Sequence, residues 1–350
     1  MYEQGVIRPP SEANSLLVRV TRNCPWNQCV FCPAYKGTKF SKRSVDDVNG
    51  DIDSMAKEYG SYTLIESVFL QDADSLLLPT ADLLEILQHL KQKFPGITRI
   101  TSYARAKTLK RKSVEELKEL KEAGLTRIHV GMESGSATVL KMIKKGITPD
   151  DIIEGGTRVM EAGISLSEYI MPGIGGRSLS EEHATETARV LNIVKPDFIR
   201  VRTFAVHPAS PMQKWIDEGT FVPMTDNEIV VEIRLLVSRI EKIHSYFSCG
   251  DFSLNLLMQV DGYLDENKGV MLAELDRFLS LTKRQKQVYI LLRRASFRAY
   301  PIEIVSDQKV MDKVMPEVER LEKADEDGFN KYIQLLMSHQ LPQPQTENWT

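Results

Sequence analysis

The stretch DFIRVRTF, residues 197–204, alternates two arginines with two β-branched residues. Read as a strand, it sends Arg200 and Arg202 to one face and Ile199 and Val201 to the other. Two nearby stretches repeat the split. In RIHVGMES (127–134), Ile128, Val130 and Met132 alternate with His129, Gly131 and Glu133. In ISLSEYIM (164–171), Ser165, Ser167 and Tyr169 share a face, and Glu168 joins Leu166 and Ile170 on the other. A doubly wound parallel sheet is covered by helices on both faces, so both should be apolar. A polar second face instead predicts a curved sheet with a wet concave side.

Outward from these stretches the pattern alternates. Strand-like runs fall at 15–20, 66–71, 97–103, 126–132, 164–171 and 197–204. Helical patterns lie between them, at about 44–59, 80–93, 113–123, 136–144 with 149–162, and 180–194. SVDDV, SVEEL and SLSEEH put Ser before acids, as helix starts do. Gly124 and Gly163 stand where a left-handed cap is wanted. Six successive βα units imply a parallel α/β sheet with right-handed crossovers. The core is expected over residues 1–225. From 226 to 350 the pattern is mostly helical, and DNEIVVEIRLLVSRIEKIHSYF (226–247) has apolar residues at helical spacing.

The chain has 350 residues, 42% hydrophobic and 27% charged, with a formal net charge of −3. That balance offers no overall footprint for nucleic acid or an anionic membrane. No apolar run is long enough to span a bilayer, and the N-terminus lacks the pattern of a signal peptide. Four cysteines, three of them clustered, do not form a secreted disulfide framework. A cytoplasmic location is the simplest expectation.

The cluster lies in TRNCPWNQCVFCPAYKG (21–37), with Cys24, Cys29 and Cys32 spaced C-x4-C-x2-C directly after the first strand. That loop belongs to the C-terminal rim of the sheet, where parallel α/β folds bind ligands. Three thiolates there can hold three irons of a 4Fe–4S cluster and leave the fourth iron open. Structural zinc wants four ligands, and Cys249 is the only other thiol. Zinc with Cys249 therefore stays open as a second reading.

The stretch resembles the cluster loop of the radical S-adenosylmethionine superfamily, whose usual spacing is C-x3-C-x2-C with an aromatic before the third cysteine. Phe31 fits that aromatic position, and the longer first gap (PWNQ) looks like a subgroup variant. FLQDADSL follows the second strand and puts Asp74 in the family's acidic slot, without the usual glycines. GMESGS places Glu133 and Ser134 at the polar site after the fourth strand. IMPGIGG, with Gly173, Gly175 and Gly176, is similar to the turn that runs along the adenine. The resemblance covers roughly residues 12–210 and implies a (β/α)6 partial TIM barrel with a helical C-terminal extension.

It also implies a chemistry: a 4Fe–4S cluster on Cys24, Cys29 and Cys32, S-adenosylmethionine as cosubstrate, and a 5′-deoxyadenosyl radical that abstracts hydrogen from an unidentified organic substrate. A low-potential donor of the flavodoxin or ferredoxin type would reduce the cluster. Asp74, Glu133, Ser134 and the three glycines would hold the cosubstrate. Arg200 and Arg202 would bind a carboxylate, or else pair with Glu133 or Glu168. Tyr169 and His129 are candidates for the concave side, and His207 for a rim loop. Trp26 would shield the cluster. Cys249 is either a buried hydrophobe or a hydrogen donor over the barrel mouth. The basic run Lys283, Arg284, Lys286, Arg293, Arg294 and Arg298 reads as a solvated helix face or a partner surface. The competing class is a non-catalytic Fe–S, zinc or haem protein; within the superfamily, it is a relative of the coproporphyrinogen dehydrogenases.

Overall fold

The computed structural model describes residues 2–5, 7–60, 65–296, 298–325 and 327–341. One sheet takes its strands in strict chain order. They are β1 (Leu16–Arg19), β2 (Ser67–Gln71), β3 (Arg99–Ala104), β4 (Leu125–Glu133), β5 (Ser165–Ile170), β6 (Phe198–Val201), β7 (Tyr246–Ser248) and β8 (Asp261–Tyr263). Neighbours from β1 to β7 are all parallel, and β8 returns antiparallel to β7.

A doubly wound sheet reverses its strand order at a switch point; this one never does. Right-handed crossovers then put every connecting helix on the same side. The helices are α1 (Val45–Tyr59), α2 (Thr80–Lys93), α3 (Ala106–Leu109), α4 (Val114–Glu122), α5 (Ala137–Met142), α6 (Pro149–Glu161), α7 (Ser180–Val194), α8 (Met212–Asp217) and α9 (Asp226–Arg239). After the sheet come α10 (Leu264–Ser280), α11 (Lys283–Ala295), α12 (Gln308–Ala324) and α13 (Gly328–Ser338). α1, α2, α4, α6, α7, α9 and α10 pack side by side in that order. Ser44 caps α1 through the Asp47 amide, and Ser113 forms a capping box with Glu116 at α4. Ser180 is already inside α7, with no side-chain cap before it.

The main core lies between sheet and helices. Val18, Val68, Ile100, Ile128, Val130, Leu166, Ile199 and Phe247 turn outward into it. Each such side chain contributes about 1.5–3 kcal/mol by leaving water. The other face is the concave one. Phe69 on β2 and His129 on β4 are separated by a whole strand, yet their ring centroids are 6.3 Å apart. Strands two places apart in a flat sheet are about 10 Å apart, so the inner face converges. This is the polar face that the alternation predicts, in a partial barrel.

The sheet runs further than the sequence suggests. The helix that begins at Asp226 stops at Arg239, and Tyr246–Ser248 becomes a seventh parallel strand. The unpaired edge of β6 decides this: the Tyr246 amide donates to the Asp197 carbonyl at 2.8 Å, a backbone partner that a lone helical turn could not supply. No described helix is long and apolar enough to cross a membrane.

Candidate active site

The cysteine loop leaves β1 and returns through a two-residue ribbon, Thr21–Arg22 against Ser41–Lys42. Asn23 and Asn27 take left-handed conformations within it, which Asn tolerates better than most residues. At the base, Asp72 Oδ2 accepts from the Asn23 amide at 2.9 Å and from Arg19 Nε at 2.9 Å. At the tip, the Val30 amide donates to the Ile143 carbonyl at 3.1 Å. The Val30 carbonyl accepts from Ser210 Oγ at 2.6 Å. Val30 also enters a second apolar cluster with Val139, Ile143, Met171, Ile174, Phe204, Met212 and Phe221. The loop is thus clamped from the rims of β4, β5 and β6.

All three thiols of the loop are free of disulfides. Burial pushes the Cys29 thiol up to about 11, and burial likewise raises Cys32. Only a strong cation would make both thiolates at neutral pH. The Asn27 amide donates to Cys24 Sγ at 3.4 Å, and the Ala34 amide donates to Cys32. Such N–H···S bonds tune iron–sulfur clusters. Among the described residues, no three His, Cys, Asp or Glu side chains converge on one point as a single ion needs. Cys249 cannot complete a zinc site with the loop thiols. It lies outward with Phe247, against Ile229, Val230, Val260 and Leu275.

Beside the thiols stands a group that the sequence reading missed. Lys145 Nζ is 2.7 Å from Glu133 Oε1 and lies over the Phe31 ring, 5.9 Å from its centroid. Burial alone would push its ammonium down, but Glu133 and the Cys29 thiol hold it above its ordinary value. Glu133 adopts φ +62° at a register shift of β4. Trp26 donates Nε1–H to the Lys144 carbonyl at 2.7 Å and packs on Gly146. Arg105 covers it, 5.3 Å from the ring centroid. Trp26 therefore docks the cysteine loop on the segment that carries Lys145.

Below this level the inner face holds Tyr103, His129 and Tyr169, with ring centroids about 6 Å apart. The Tyr169 hydroxyl is buried and unpartnered. Burial pushes His129 down to about 4, so it is neutral at pH 7. Glu12, from the N-terminal segment, closes the far end: it accepts from Ser15 Oγ at 2.6 Å and pairs with Arg99 at 3.1 Å. Its Oε1 is 3.4 Å from His129 Nε2. Arg200 bonds Ser167 and pairs with Asp251, not with Glu133 or Glu168. Arg202 lies over Phe252, 4.9 Å from the ring centroid, and has no acidic partner among the described residues. Asp251 and Phe252 follow β7, so only the unforeseen strand brings them here.

The remaining candidates divide. Asp74 is buried and committed to the β3 rim, accepting from Thr108 Oγ1 at 2.6 Å and from the Arg105 amide. The acid nearer the cysteine loop is Asp72, two residues earlier in the same motif. Ser134 is sealed beneath the rim, 2.9 Å from His183 Nδ1. On their Cβ sides Gly175 and Gly176 face Leu179 and Phe221 too closely for a larger residue, and Gly173 meets Ile229 at ordinary contact distance. His207 is buried, and its Nδ1 accepts from the Ala209 amide at 3.0 Å. Cys249, a candidate hydrogen donor by sequence, is 2% exposed on the helix side of the sheet. Strand parity with Phe247 turns it away from the barrel mouth. Glu168 is also outward and buried, and burial pushes its carboxyl well above the usual carboxylate range. Within the basic run, Arg293 and Arg294 are buried: Arg293 donates to the Leu256 and Asn255 carbonyls, and Arg294 pairs with Asp226. They brace the segment that carries Asp251.

Residues 18–188 match the family model described as the radical SAM superfamily. An uncharacterised methyltransferase of Pyrococcus horikoshii is 31% identical over 48% of this chain and 35% of its own length. A tRNA uridine(34) acetyltransferase of Methanocaldococcus infernus is 24% identical over 34% of this chain and 22% of its own. A 4′-phospho-dehydrooxetanocin synthase of Priestia megaterium is 28% identical, covering 43% and 22%. The chain thus spans about a third or less of the length of these relatives. Among solved structures, the cobalamin-dependent S-adenosylmethionine radical enzyme OxsB, with aqua-cobalamin and S-adenosylmethionine bound, shares the fold. Its TM-score is 0.53 at 14% identity, covering 92% of this chain and 58% of that one.

Proposed function

The chain belongs, over residues 18–188, to the radical SAM superfamily, and from that premise we propose that it holds a 4Fe–4S cluster on Cys24, Cys29 and Cys32 and cleaves S-adenosylmethionine reductively. Bound there, the cluster would supply the one-electron reduction that splits the sulfonium into methionine and a 5′-deoxyadenosyl radical able to take hydrogen from an organic substrate. The chain's own residues place the reactants. Val30 fixes the loop through its two clamped backbone groups. The Lys145 ammonium suits the carboxylate of the methionine moiety, and the Glu133 carboxylate suits its amino group. Arg202, lacking an acid, suits a further anionic group on cosubstrate or substrate. Tyr103, His129 and Tyr169 floor the space, and Glu12 closes it to water from the far end. The division into a core through residue 225 and a supporting region from 226 is part of this reading.

One observation carries it: three thiols stand on one clamped rim loop, and the fourth thiol of the chain faces the opposite side of the sheet. Anaerobic reconstitution with iron and sulfide tests it. About four irons per chain are expected, with 5′-deoxyadenosine formed on adding dithionite and S-adenosylmethionine. One tetrahedral metal and no cleavage would end the reading.

A further inference from the structure

The rim turn that carries Glu133 is fastened to α7 at three successive residues. Ser134 Oγ is 2.9 Å from His183 Nδ1, the Gly135 amide donates to Thr187 Oγ1 at 2.9 Å, and Ser136 Oγ donates to Glu182 Oε1 at 2.6 Å. A Cβ on Gly135 would fall 2.3 Å from the Glu186 carbonyl oxygen, so the turn lies directly on the helix backbone. Glu133, at its start, is a non-glycine residue with φ +62°. Such a conformation persists only where its surroundings over-determine it.

A second rim turn is reached from α9. Glu232 Oε1 accepts from the Gly173 amide at 2.7 Å, just after β5. The same oxygen is 3.7 Å from His183 Nε2. The two turns also touch directly, since the Met171 amide donates to the Glu133 carbonyl at 3.0 Å. His183 is 0% and Glu232 2% exposed. Among the described residues, neither His183 Nε2 nor Glu232 Oε2 has a hydrogen-bond partner. Each side chain is therefore anchored to one turn and faces the anchor of the other, where α7 packs on α9. Buried polar pairs can often be replaced by apolar residues at no loss of stability, so packing alone does not account for this one.

We propose that His183 and Glu232 are positioning residues of the cosubstrate site: the buried link Ser134–His183–Glu232–Gly173 keeps Glu133 in its left-handed conformation and fixes the turn after β5 relative to it. The inference rests on the proposed function, in which Glu133 takes the amino group of the methionine moiety. Burial sets the charge within the link. The imidazole, lowered to about 4, is neutral at pH 7, and the Glu232 carboxyl, raised to about 7, titrates near neutrality. From α7, Ser180 and His183 face that carboxyl; from the β5 turn, the Gly173 amide does. Glu182 is committed to Ser136, and Glu228, one turn earlier on α9, to Arg177. Ionised, Glu232 holds the Gly173 amide more strongly than when protonated.

The test uses the full chain, reconstituted anaerobically. Calorimetry reads S-adenosylmethionine binding, and hydrogen exchange reads peptides spanning 131–136 and 171–176. His183→Leu should keep the circular dichroism and melting temperature of wild type, yet bind S-adenosylmethionine about tenfold more weakly, with both peptides exchanging faster. His183→Asn, which returns a polar atom to Ser134, should recover most of the affinity. Glu232→Gln keeps an acceptor for Gly173 and cannot ionise, so wild-type affinity should fall relative to it from pH ~8 to ~6. Full affinity in His183→Leu overturns the proposal. So does an Asn variant no better than Leu, because lost packing then explains the effect, and so does a pH course shared by wild type and Glu232→Gln. If wild type itself binds no S-adenosylmethionine, the proposed function fails, and exchange still judges the link: unchanged rates in His183→Leu refute it, and faster ones sustain it.

Discussion

Lys145 and Glu133 meet at 2.7 Å above Gly131, an inner-face position with no side chain. A Cβ on Gly131 would sit 2.5 Å from Glu133 Oε1 and 3.0 Å from Lys145 Nζ. Both obstructing atoms end flexible side chains, so the backbone need not move. Gly131→Ala should therefore cost little stability, under about 1 kcal/mol. It should displace the ion pair and weaken S-adenosylmethionine binding about tenfold, read by calorimetry on the reconstituted protein. Unchanged binding would remove the pair from the cosubstrate site.

Cys29 and Cys249 have opposite surroundings, the first on the rim loop and the second in the outer core. Cys29→Ala should abolish iron uptake and leave the fold intact. Cys249→Ala should retain about four irons and lose about 1 kcal/mol of stability through a small cavity. Iron analysis with a denaturation curve separates the two. Iron loss in the Cys249 variant would contradict the three-ligand assignment.

Ser210 holds the cysteine loop from the β6 rim through the Val30 carbonyl. Ser210→Ala leaves that buried acceptor with the Met212 amide at 3.3 Å. A loss of about 1 kcal/mol is expected. The more telling change is kinetic: bound iron should pass to a chelator several times faster than in wild type. An unchanged rate would show that the clamp does not restrain the loop.

His129 gives a pH signature. Its folded value is lowered to about 4 from 6.5, chiefly by burial, so the unfolded chain binds the extra proton between those values. Its contribution to stability is thus present above pH 6.5 and is lost as pH falls toward 4. Removing the imidazole removes that loss. His129→Phe should gain on wild type by up to about 3 kcal/mol over this window, measured as the difference in urea midpoints at pH 6.5 and 4. A constant difference would show that His129 is solvated and not sealed by Glu12 and the neighbouring rings.

Much of the barrel is legible in local pattern. The six expected strands and the helices between them lie within a few residues of their predicted places. Gly124 and Gly163 take the positive φ that their cap positions ask for. The polar face is legible because side-chain direction in a strand is set by parity, a property of adjacent residues. The same rule orients Glu168 outward, although only packing shows that its carboxyl is buried without a partner.

The site is less legible, because its partners are distant in the chain. FLQDADSL offers two acids, and nothing in the motif says that Asp72 holds the cysteine loop while Asp74 holds the β3 rim. Lys145 looks like one of several lysines in KMIKKG until the fold sets it against Glu133. Arg293 and Arg294 sit in a run that reads as solvated, and become internal only because the segment after β7 presents carbonyls and α9 presents Asp226. Local pattern suffices for the βα alternation, the face each strand residue takes and the thiol-bearing loop, since each follows from neighbours a few residues apart. Tertiary structure decided which charges are paired, that β7 exists and that Cys249 faces the helices. Those depend on free sheet edges and burial, which arise only when remote segments meet.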